Sequence, residues 1–244
     1  MFRIVTYNIH KCLGMDRRER PLRIVEVLRE TQADIIALQE VLSVDGAARE
    51  RHQARFIAEE LGMHHHAGAN RRLRGGTYGN VTLSRLPIQT AQNYDVTWSG
   101  RERRGCLRAD VVVEAGGSER LLHVFNIHLG TAFIERRHQA RKLVSEEILN
   151  NARLKGVRLA IGDFNEWTRG LASRLLSSHL QSADVRYHLK SKRTYPGVLP
   201  FLHLDHVYYD GGLELKRLTL HRSRTALVAS DHLPLVADFQ FTGE

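Results

Sequence analysis

Apolar and polar residues along this chain follow two periods, one typical of strands and the other of amphipathic helices. Apolar runs predict strands at residues 2–9, 33–41, 78–88, 107–115, 120–129, 157–167, 204–210, 213–220 and 234–241. Helical spacing predicts helices at residues 21–32, 47–62 and 134–152. Both helix crossovers and hairpins connect these elements, so the pattern predicts an α/β fold with mixed sheets and outer helices.

Turn residues support these boundaries. Pro21 opens the first helix, Gly62 closes the second, and Gly116-Gly117 separates two strands. No Pro/Gly/Ser-rich linker divides the chain, so we expect one domain over residues 1–244. The run 64–66 consists of three histidines. Successive strand residues face opposite sides, so these three cannot all bind one ion and are expected to lie in a solvated strand.

Polar side chains stand where the apolar runs end. A buried strand tolerates an unpaired carboxylate or amide poorly, so five such strand ends indicate convergence on one pocket. The residues are Asn8, Glu40, Asn126, His128, Asp163, Asn165, Asp231 and His232.

The convergent set is rich in oxygen ligands, which suit Mg²⁺ or Mn²⁺. Such ions typically serve enzymes that act on phosphate substrates. Its two histidines can transfer protons or donate to developing charge. The chain also carries two Asp-His pairs. We predict that Asp205 of the first pair orients His232 of the second by bonding one ring nitrogen.

Charge points to an anionic partner. The 36 basic residues exceed the 27 acidic ones by nine, which favours nucleic acid, anionic lipid headgroups or phosphorylated small molecules, although a basic proteome would give the same balance. Basic clusters at 70–76, 99–105, 190–193 and 221–224 are expected in loops, either as a phosphate-attracting funnel or as a solvated rim. Arg104, in the second cluster, is a predicted substrate contact.

Cellular context is suggested by what the sequence lacks. Cys12 and Cys106 form no disulfide framework and are expected to be small core or loop residues. The first residues show no signal-peptide pattern, and no apolar run has membrane-spanning length. We therefore expect a cytoplasmic protein.

The order of motifs resembles the endonuclease/exonuclease/phosphatase superfamily. The matching segments are TYNI, DIIALQEV, NVTLSRLPI, NIHL, GDFNEW, LDHVYY and SDHLPLVADF, which together span nearly the whole chain. The resemblance implies a four-layer α/β sandwich like that of DNase I, in which two packed mixed sheets are flanked by helices. It also implies phosphoester hydrolysis by in-line attack of an activated water.

The resemblance implies a role for each site residue. Asn8 and Glu40 match the amide and the metal-binding glutamate of the first half, and Asp231 matches a metal-linked aspartate. Asp163 and Asn165 match the GDxN pair that positions phosphate and nucleophile. His232 matches the catalytic histidine with Asp205 as its partner, and His128 matches a histidine near the phosphate. We also expect substrate contacts from Asn8 and Asn126.

Two departures bear on the branch. Val41 and Leu42 follow the glutamate where AP endonucleases usually carry a lysine soon after it, and His128 stands where they usually have a tyrosine. Both features resemble the DNase-like and sphingomyelinase-like branches. The expected function is thus a Mg²⁺-dependent phosphodiesterase acting on DNA, RNA or an anionic phospholipid. A phosphomonoesterase and a catalytically silent binding module are the alternatives.

Overall fold

The computed structural model describes residues 1–166, 170–183, 194–195 and 202–243. Trp167, a candidate pocket residue, and the basic cluster 190–193 lie outside the described residues. The strands are β1 Phe2–Asn8, β2 Ile35–Ser43, β3 His64–Leu73, β4 Gly76–Ser84, β5 Ile88–Asp95, β6 Gly105–Ala115, β7 Ser118–His128, β8 Val157–Asp163, β9 Gln181–Ser182, β10 Asp205–Tyr209, β11 Leu213–Leu220 and β12 Leu235–Phe241. The helices are α1 Pro21–Thr31, α2 Gln53–Leu61, α3 Phe133–Leu143, α4 Leu171–Ser177 and α5 Ala226–Ala229.

The strands form two six-stranded sheets. The first has the order β11-β12-β1-β2-β4-β3 and the second β5-β6-β7-β8-β10-β9. Each sheet contains one parallel pair, β1 with β2 and β7 with β8, and the other pairings are antiparallel. The expected mixed sheets are therefore confirmed.

The strand period divides the core into three layers. In β1, Ile4 packs between the sheets, whereas Val5 packs against the helices of the first sheet. In β8, Ile161 joins the layer between the sheets and Ala160 packs under α3 and α4. Because both faces of the central strands are buried, the molecule is the predicted four-layer sandwich.

Helix boundaries differ from the prediction where polar groups intervene. The segment predicted as one helix from 47 begins with a 3-10 turn at Arg49–Arg51, and α2 starts only after His52, whose side chain accepts a bond from the Arg55 amide. The helix predicted to reach residue 152 ends at Leu143. Beyond it, the Leu149 amide bonds the Leu143 carbonyl, and turns bury Ile148 and Leu149 without helical geometry.

Two strands were poorly visible in the sequence. The strand predicted at 78–88 is divided, because β4 ends at Ser84 and β5 starts at Ile88. Strand β5 is an edge strand with mostly exposed polar residues, so it lacks the apolar signal of a buried strand. The three histidines open β3, as expected of a solvated strand, and are all exposed.

Among the described residues, no helix is both long and apolar enough to cross a bilayer.

His123 has a structural role, and both cysteines are buried, as expected of core residues. His123 contacts Asp110 through Nδ1 at 2.7 Å, and its Nε2 accepts from the Gly156 amide. Burial alone raises the pKa of Asp110, but hydrogen bonds from His123 and Thr90 outweigh it and hold that pKa below its usual range. Cys12 and Cys106 are buried free thiols.

Candidate active site

Several predicted residues meet at one edge of the second sheet. His128 ends β7, Asp163 ends β8, and Asp205 begins β10. The strand register places both His128 and Asp205 directly beside Asp163. Asn8, at the end of β1 in the first sheet, reaches across and donates to Asp163 Oδ2 at 3.0 Å. Both sheets therefore contribute to one polar cluster.

Asp163 is held by the turn around it. A side chain at Gly162 would collide with the main-chain oxygen of Ile127, so only glycine allows β8 to approach β7 this closely. Asn165 has a left-handed φ of 49°, and its main-chain N–H donates to Asp163 Oδ1 at 2.9 Å. The Asn165 side chain also donates to the Leu129 carbonyl at 2.8 Å. These contacts fix Oδ1 and leave Oδ2 facing the cluster.

His232 is paired as the sequence predicted. Its Nδ1 lies 3.1 Å from Asp205 Oδ2, and its Nε2 lies 3.6 Å from Asp163 Oδ2. Burial alone lowers the pKa of His232, but the carboxylates of Asp205 and Asp163 outweigh it and raise that pKa to about 10. The imidazole is therefore a charged donor at neutral pH, with Nε2–H directed toward Asp163.

His128 has the opposite character. Burial and the nearby Arg104 guanidinium lower the pKa of His128 to about 4, so this imidazole is neutral at pH 7. Arg104 donates to Nδ1 at 3.3 Å, which leaves the proton on Nε2. That nitrogen lies 3.7 Å from Asp163 Oδ2. Two imidazole Nε2 groups thus flank one carboxylate oxygen.

Glu40 lies on the first sheet, at a bulge. The β2–β4 register shifts between Leu38 and Val41, and Glu40 has a φ of 58°. Such a bulge redirects a side chain that the strand would otherwise place elsewhere. Glu40 accepts from Asn8 Nδ2 at 3.3 Å and from Lys11 Nζ at 2.6 Å.

The Glu40 carboxylate is ionised. Burial raises the pKa of Glu40, but the charges of His128 and Lys11 outweigh burial and hold that pKa well below its usual range. Because His128 is itself neutral at pH 7, Lys11 is the cation that matters at that pH. Burial and the nearby Glu40 carboxylate raise the pKa of Tyr78.

The loop after β1 has an unusual backbone. Residues His10, Lys11 and Cys12 have φ values of 44°, 58° and 58°. For a residue with a Cβ, this left-handed region costs roughly 1–2 kcal/mol. The loop is held by Gln53, whose Nε2 donates to the Lys11 carbonyl at 2.7 Å and whose Oε1 accepts from Leu42. Gln53 thereby ties Lys11 to the strand that carries Glu40.

The three residues predicted to bind the metal do not all lie together. Asn8 contacts Glu40, whereas Asp231 contacts Ser230 at 3.3 Å and His10 at 3.7 Å. Across the part of the chain that the structure describes, no group of three or more His, Cys, Asp or Glu is arranged to hold a metal. Mg²⁺ commonly uses only one or two carboxylates, with waters and substrate oxygens completing its shell. The ionised Glu40, which already holds the Lys11 ammonium, fits that mode of binding.

The substrate role expected of Asn126 is at odds with its position. Asn126 is fully buried, and its amide donates to the carbonyls of Leu38 and Val81, each at 3.0 Å. Its Oδ1 accepts from Gln39 at 2.8 Å. Asn126 therefore joins the two sheets beneath the site. Its place within a strand run could not reveal that its partners would come from the other sheet.

The first two basic clusters are connected to the site through Glu102. This residue contacts Arg71 at 2.9 Å and Arg104 at 3.3 Å, and Arg104 in turn contacts His128. Arg71 lies in strand β3 and stacks on Tyr78, so the expectation that all of 70–76 forms a loop is wrong. Two members, Arg72 and Arg74, are exposed.

The fourth basic cluster, 221–224, lies between β11 and α5. There His221 contacts Glu30 of α1 at 2.7 Å.

Sequence reasoning missed three residues at the site. Lys11 contacts Glu40 and lies over the Tyr78 ring, and the Tyr195 ring lies 4.9 Å from the His232 ring. Burial and the charges of nearby carboxylates, Asp231 first among them, raise the pKa of Tyr195. Lys11 stands three residues after Asn8, and a cation so close to a strand end was an available signal. Tyr195 carried none.

The chain is similar to known proteins in both sequence and fold. The model of the Endonuclease/Exonuclease/phosphatase family matches residues 5–232. The uncharacterized protein YbhP of Escherichia coli is 32% identical over 247 residues, which cover 97% of this chain and 95% of YbhP.

Solved structures share the fold. The mannosyl-6-phosphatase of Bacteroides thetaiotaomicron superposes with a TM-score of 0.77 at 16% identity, over 99% of this chain and 100% of that one. D. rerio TDP2, solved with a single-strand DNA product, gives a TM-score of 0.72 at 14% identity, over 98% of both chains. At these identities the likeness establishes the fold.

Proposed function

The chain belongs to the endonuclease/exonuclease/phosphatase family, and from that membership we propose that it is a divalent-metal-dependent phosphoester hydrolase. Proteins of this family act as hydrolases of phosphoesters. Family membership alone does not assign an activity, so the proposal depends on the site. An intact set of reactive groups also argues against the silent binding module.

The observation that carries the proposal is the surroundings of Asp163 Oδ2. One amide and two imidazole nitrogens surround this oxygen, at 3.0 Å from Asn8, 3.7 Å from His128 and 3.6 Å from His232. Hydrolysis of a phosphoester requires a base that accepts a proton from water. It also requires donors that stabilise the negative charge on the phosphate oxygens, and this arrangement has both. A purely structural cluster would not need one charged and one neutral imidazole beside the same carboxylate oxygen.

The residues divide the work. Asp163 orients and deprotonates the attacking water. His232, fixed by Asp205, donates through Nε2 to a phosphate oxygen as negative charge develops. His128, held by Arg104, offers a second Nε2–H without adding charge. Asn165 keeps Asp163 in place through its amide.

Glu40, together with Asn8, would hold the divalent ion. A bound Mg²⁺ or Mn²⁺ would neutralise phosphate charge and stabilise the leaving oxygen. Asp231, which lies beside His232, belongs to the same proposal as an outer, metal-linked carboxylate. Its contacts with Ser230 and His10 leave it part-exposed at the mouth of the site.

A chromogenic diester tests this proposal. Hydrolysis of bis-p-nitrophenyl phosphate is expected to require Mg²⁺ or Mn²⁺ and to stop in EDTA. Glu40→Gln keeps the shape but removes the charge, so activity is expected to fall by at least ~100-fold. The matched control is Glu214→Gln, because Glu214 forms a similar lysine pair on the exposed strand β11. Full activity in EDTA, or in Glu40→Gln, would contradict the metal mechanism.

For the substrate, a phosphodiesterase acting on nucleic acid is our first choice. Exposed Arg72 and Arg74 and the exposed Arg101 and Arg103 provide cations on two separate segments. Several separated cations suit a polymer with many phosphates better than a single headgroup. A phospholipid diester and a phosphomonoester are the alternatives.

A screen distinguishes these substrates. Protein supplemented with Mn²⁺ is incubated with plasmid DNA, single-stranded DNA and RNA, anionic phospholipid vesicles, and inositol and sugar phosphates. Cleavage of a polynucleotide at rates far above those for the other substrates is the expected result. Release of headgroup from vesicles with intact DNA would instead favour the lipid diesterase.

A further inference from the structure

We propose that Lys11 is a displaceable cation of the active site, which neutralises Glu40 until a divalent ion binds there and then turns to the substrate phosphate. This inference rests on the proposed function. It adds a phosphate-binding residue that also sets how tightly the metal is held.

Lys11 and a divalent ion would compete for the Glu40 carboxylate. Lys11 Nζ lies 2.6 Å from Glu40 Oε2, and both side chains are largely shielded from water. A divalent ion needs a carboxylate oxygen of this residue, while Asn8 already donates to the other oxygen, Oε1. An ammonium and a divalent ion repel strongly at such a distance in a partly buried site. Metal binding at Glu40 therefore requires the ammonium to move.

The main chain of Lys11 is held in place, whereas its side chain can change partners. The main chain of Lys11 is held by Gln53 and lies in a left-handed segment between His10 and Cys12. The lysine stem, in contrast, has four flexible carbons, and its ammonium can change partners without backbone motion. A strained main chain that places one cation beside the site is a feature found at ligand-binding positions.

The surroundings of Lys11 would keep its released ammonium close to a bound phosphate. The Tyr78 ring lies 5.7 Å from Lys11 Nζ and offers an aromatic face that keeps a cation nearby. Glu40 is linked through Asn8 to Asp163, so the freed ammonium remains within the polar cluster. Lysine binds phosphate as a point charge, and a phosphate between Asp163 and Glu40 would be its nearest anion.

Direct titration with Mn²⁺ tests the competition. We compare wild type, Lys11→Met, Lys11→Arg and Glu40→Gln, with Lys216→Met as the control, because Lys216 pairs with Glu214 at 2.7 Å on an exposed strand. Lys11→Met is expected to bind Mn²⁺ about 10-fold more tightly, equivalent to about 1.4 kcal/mol. Lys216→Met and Lys11→Arg should stay within about twofold of wild type, and Glu40→Gln should lose the site.

A second titration, with inorganic phosphate in saturating Mn²⁺, tests the release. Lys11→Met is expected to bind phosphate about 10-fold more weakly, and Lys11→Arg should recover most of the affinity. Thermal unfolding of each variant identifies any that fails to fold; if Lys11→Met does, Lys11→Gln, which also removes the charge but keeps a polar side chain, replaces it in both titrations with the same expected shifts.

The outcomes separate this inference from the proposed function. Wild type that shows no Glu40-dependent Mn²⁺ binding would contradict the metal-dependent function and this inference with it. Normal Glu40-dependent binding that is unchanged or weakened in Lys11→Met would overturn the inference alone. Tighter Mn²⁺ binding with unchanged phosphate affinity would likewise refute the transfer to phosphate.

Discussion

Replacing Asp205 by asparagine isolates the orienting role of one buried carboxylate. Asp205 is fully buried, and its Oδ2 lies 3.1 Å from His232 Nδ1. The substitution keeps the side-chain shape but removes the charge. It also lets an amide N–H face the imidazole, which favours the wrong tautomer of His232.

The expected loss follows from the contact. A hydrogen bond to a charged group contributes about 1.5–3 kcal/mol, and each 1.36 kcal/mol changes a rate about tenfold. Because this contact positions His232 for the transition state and does not itself bind substrate, its loss should lower kcat for the diester by roughly 10- to 150-fold. KM should change little, because His232 acts on developing charge and not on ground-state binding.

The assay is a kcat and KM measurement from pH 5 to 10 in saturating Mn²⁺. Because Asp205 helps to raise the pKa of His232, the limb of the profile that belongs to His232 should move to lower pH in the variant. Asp210→Asn is the matched control, since Asp210 follows the same strand and bonds the amides of Arg158 and Gly212.

One result would refute this reasoning. If Asp205→Asn keeps wild-type kcat while His232→Ala is inactive, Asp205 does not orient the imidazole. An equal loss in Asp210→Asn would show that the effect comes from the strand and not from the contact.

Further predictions concern the surface and the core. Changing Arg72 and Arg74 to glutamine should weaken binding of DNA to a Glu40→Gln protein and flatten its salt dependence by about one to two units of slope, measured by fluorescence anisotropy across a salt series; an unchanged slope would exclude these arginines from the interface. Asp110→Asn should lower the free energy of unfolding by about 1–3 kcal/mol at pH 7. The folded pKa of Asp110 is depressed, so this stabilisation is present above the unfolded pKa of ~3.9 and is lost as pH falls through the folded value. Urea unfolding at pH 7 and pH 3 should therefore show a smaller difference at pH 3, and a constant difference would contradict the linkage. Asn126→Ala leaves buried polar groups of both sheets unpaired and should cost about 2–4 kcal/mol in the same urea assay, with a loss below about 1 kcal/mol arguing against its inter-sheet role.

The sequence by itself determined the layers of this protein. Strand and helix periods are local, because they depend on which residues alternate within a few positions, so β1, β11 and α1 were predictable near their observed bounds. The polar residues at strand ends also predicted that Asp163 and His128 would lie together, because neighbouring strands bring such ends to one edge, whereas Asp205 was predicted from the Asp-His pairs.

Only the tertiary structure decided which polar groups face each other. Asn8 and Asn126 occur in the similar motifs YNIH and FNIH. Asn8 nevertheless contacts Asp163, whereas the side chain of Asn126 forms its hydrogen bonds between the two sheets. Lys11 and Glu40 are far apart in sequence and meet through a bulge and a left-handed loop. Such contacts depend on register and backbone strain between distant segments. The local pattern of apolar and polar residues predicts neither register nor backbone strain, because it reflects the alternation within one strand and not the partner of that strand.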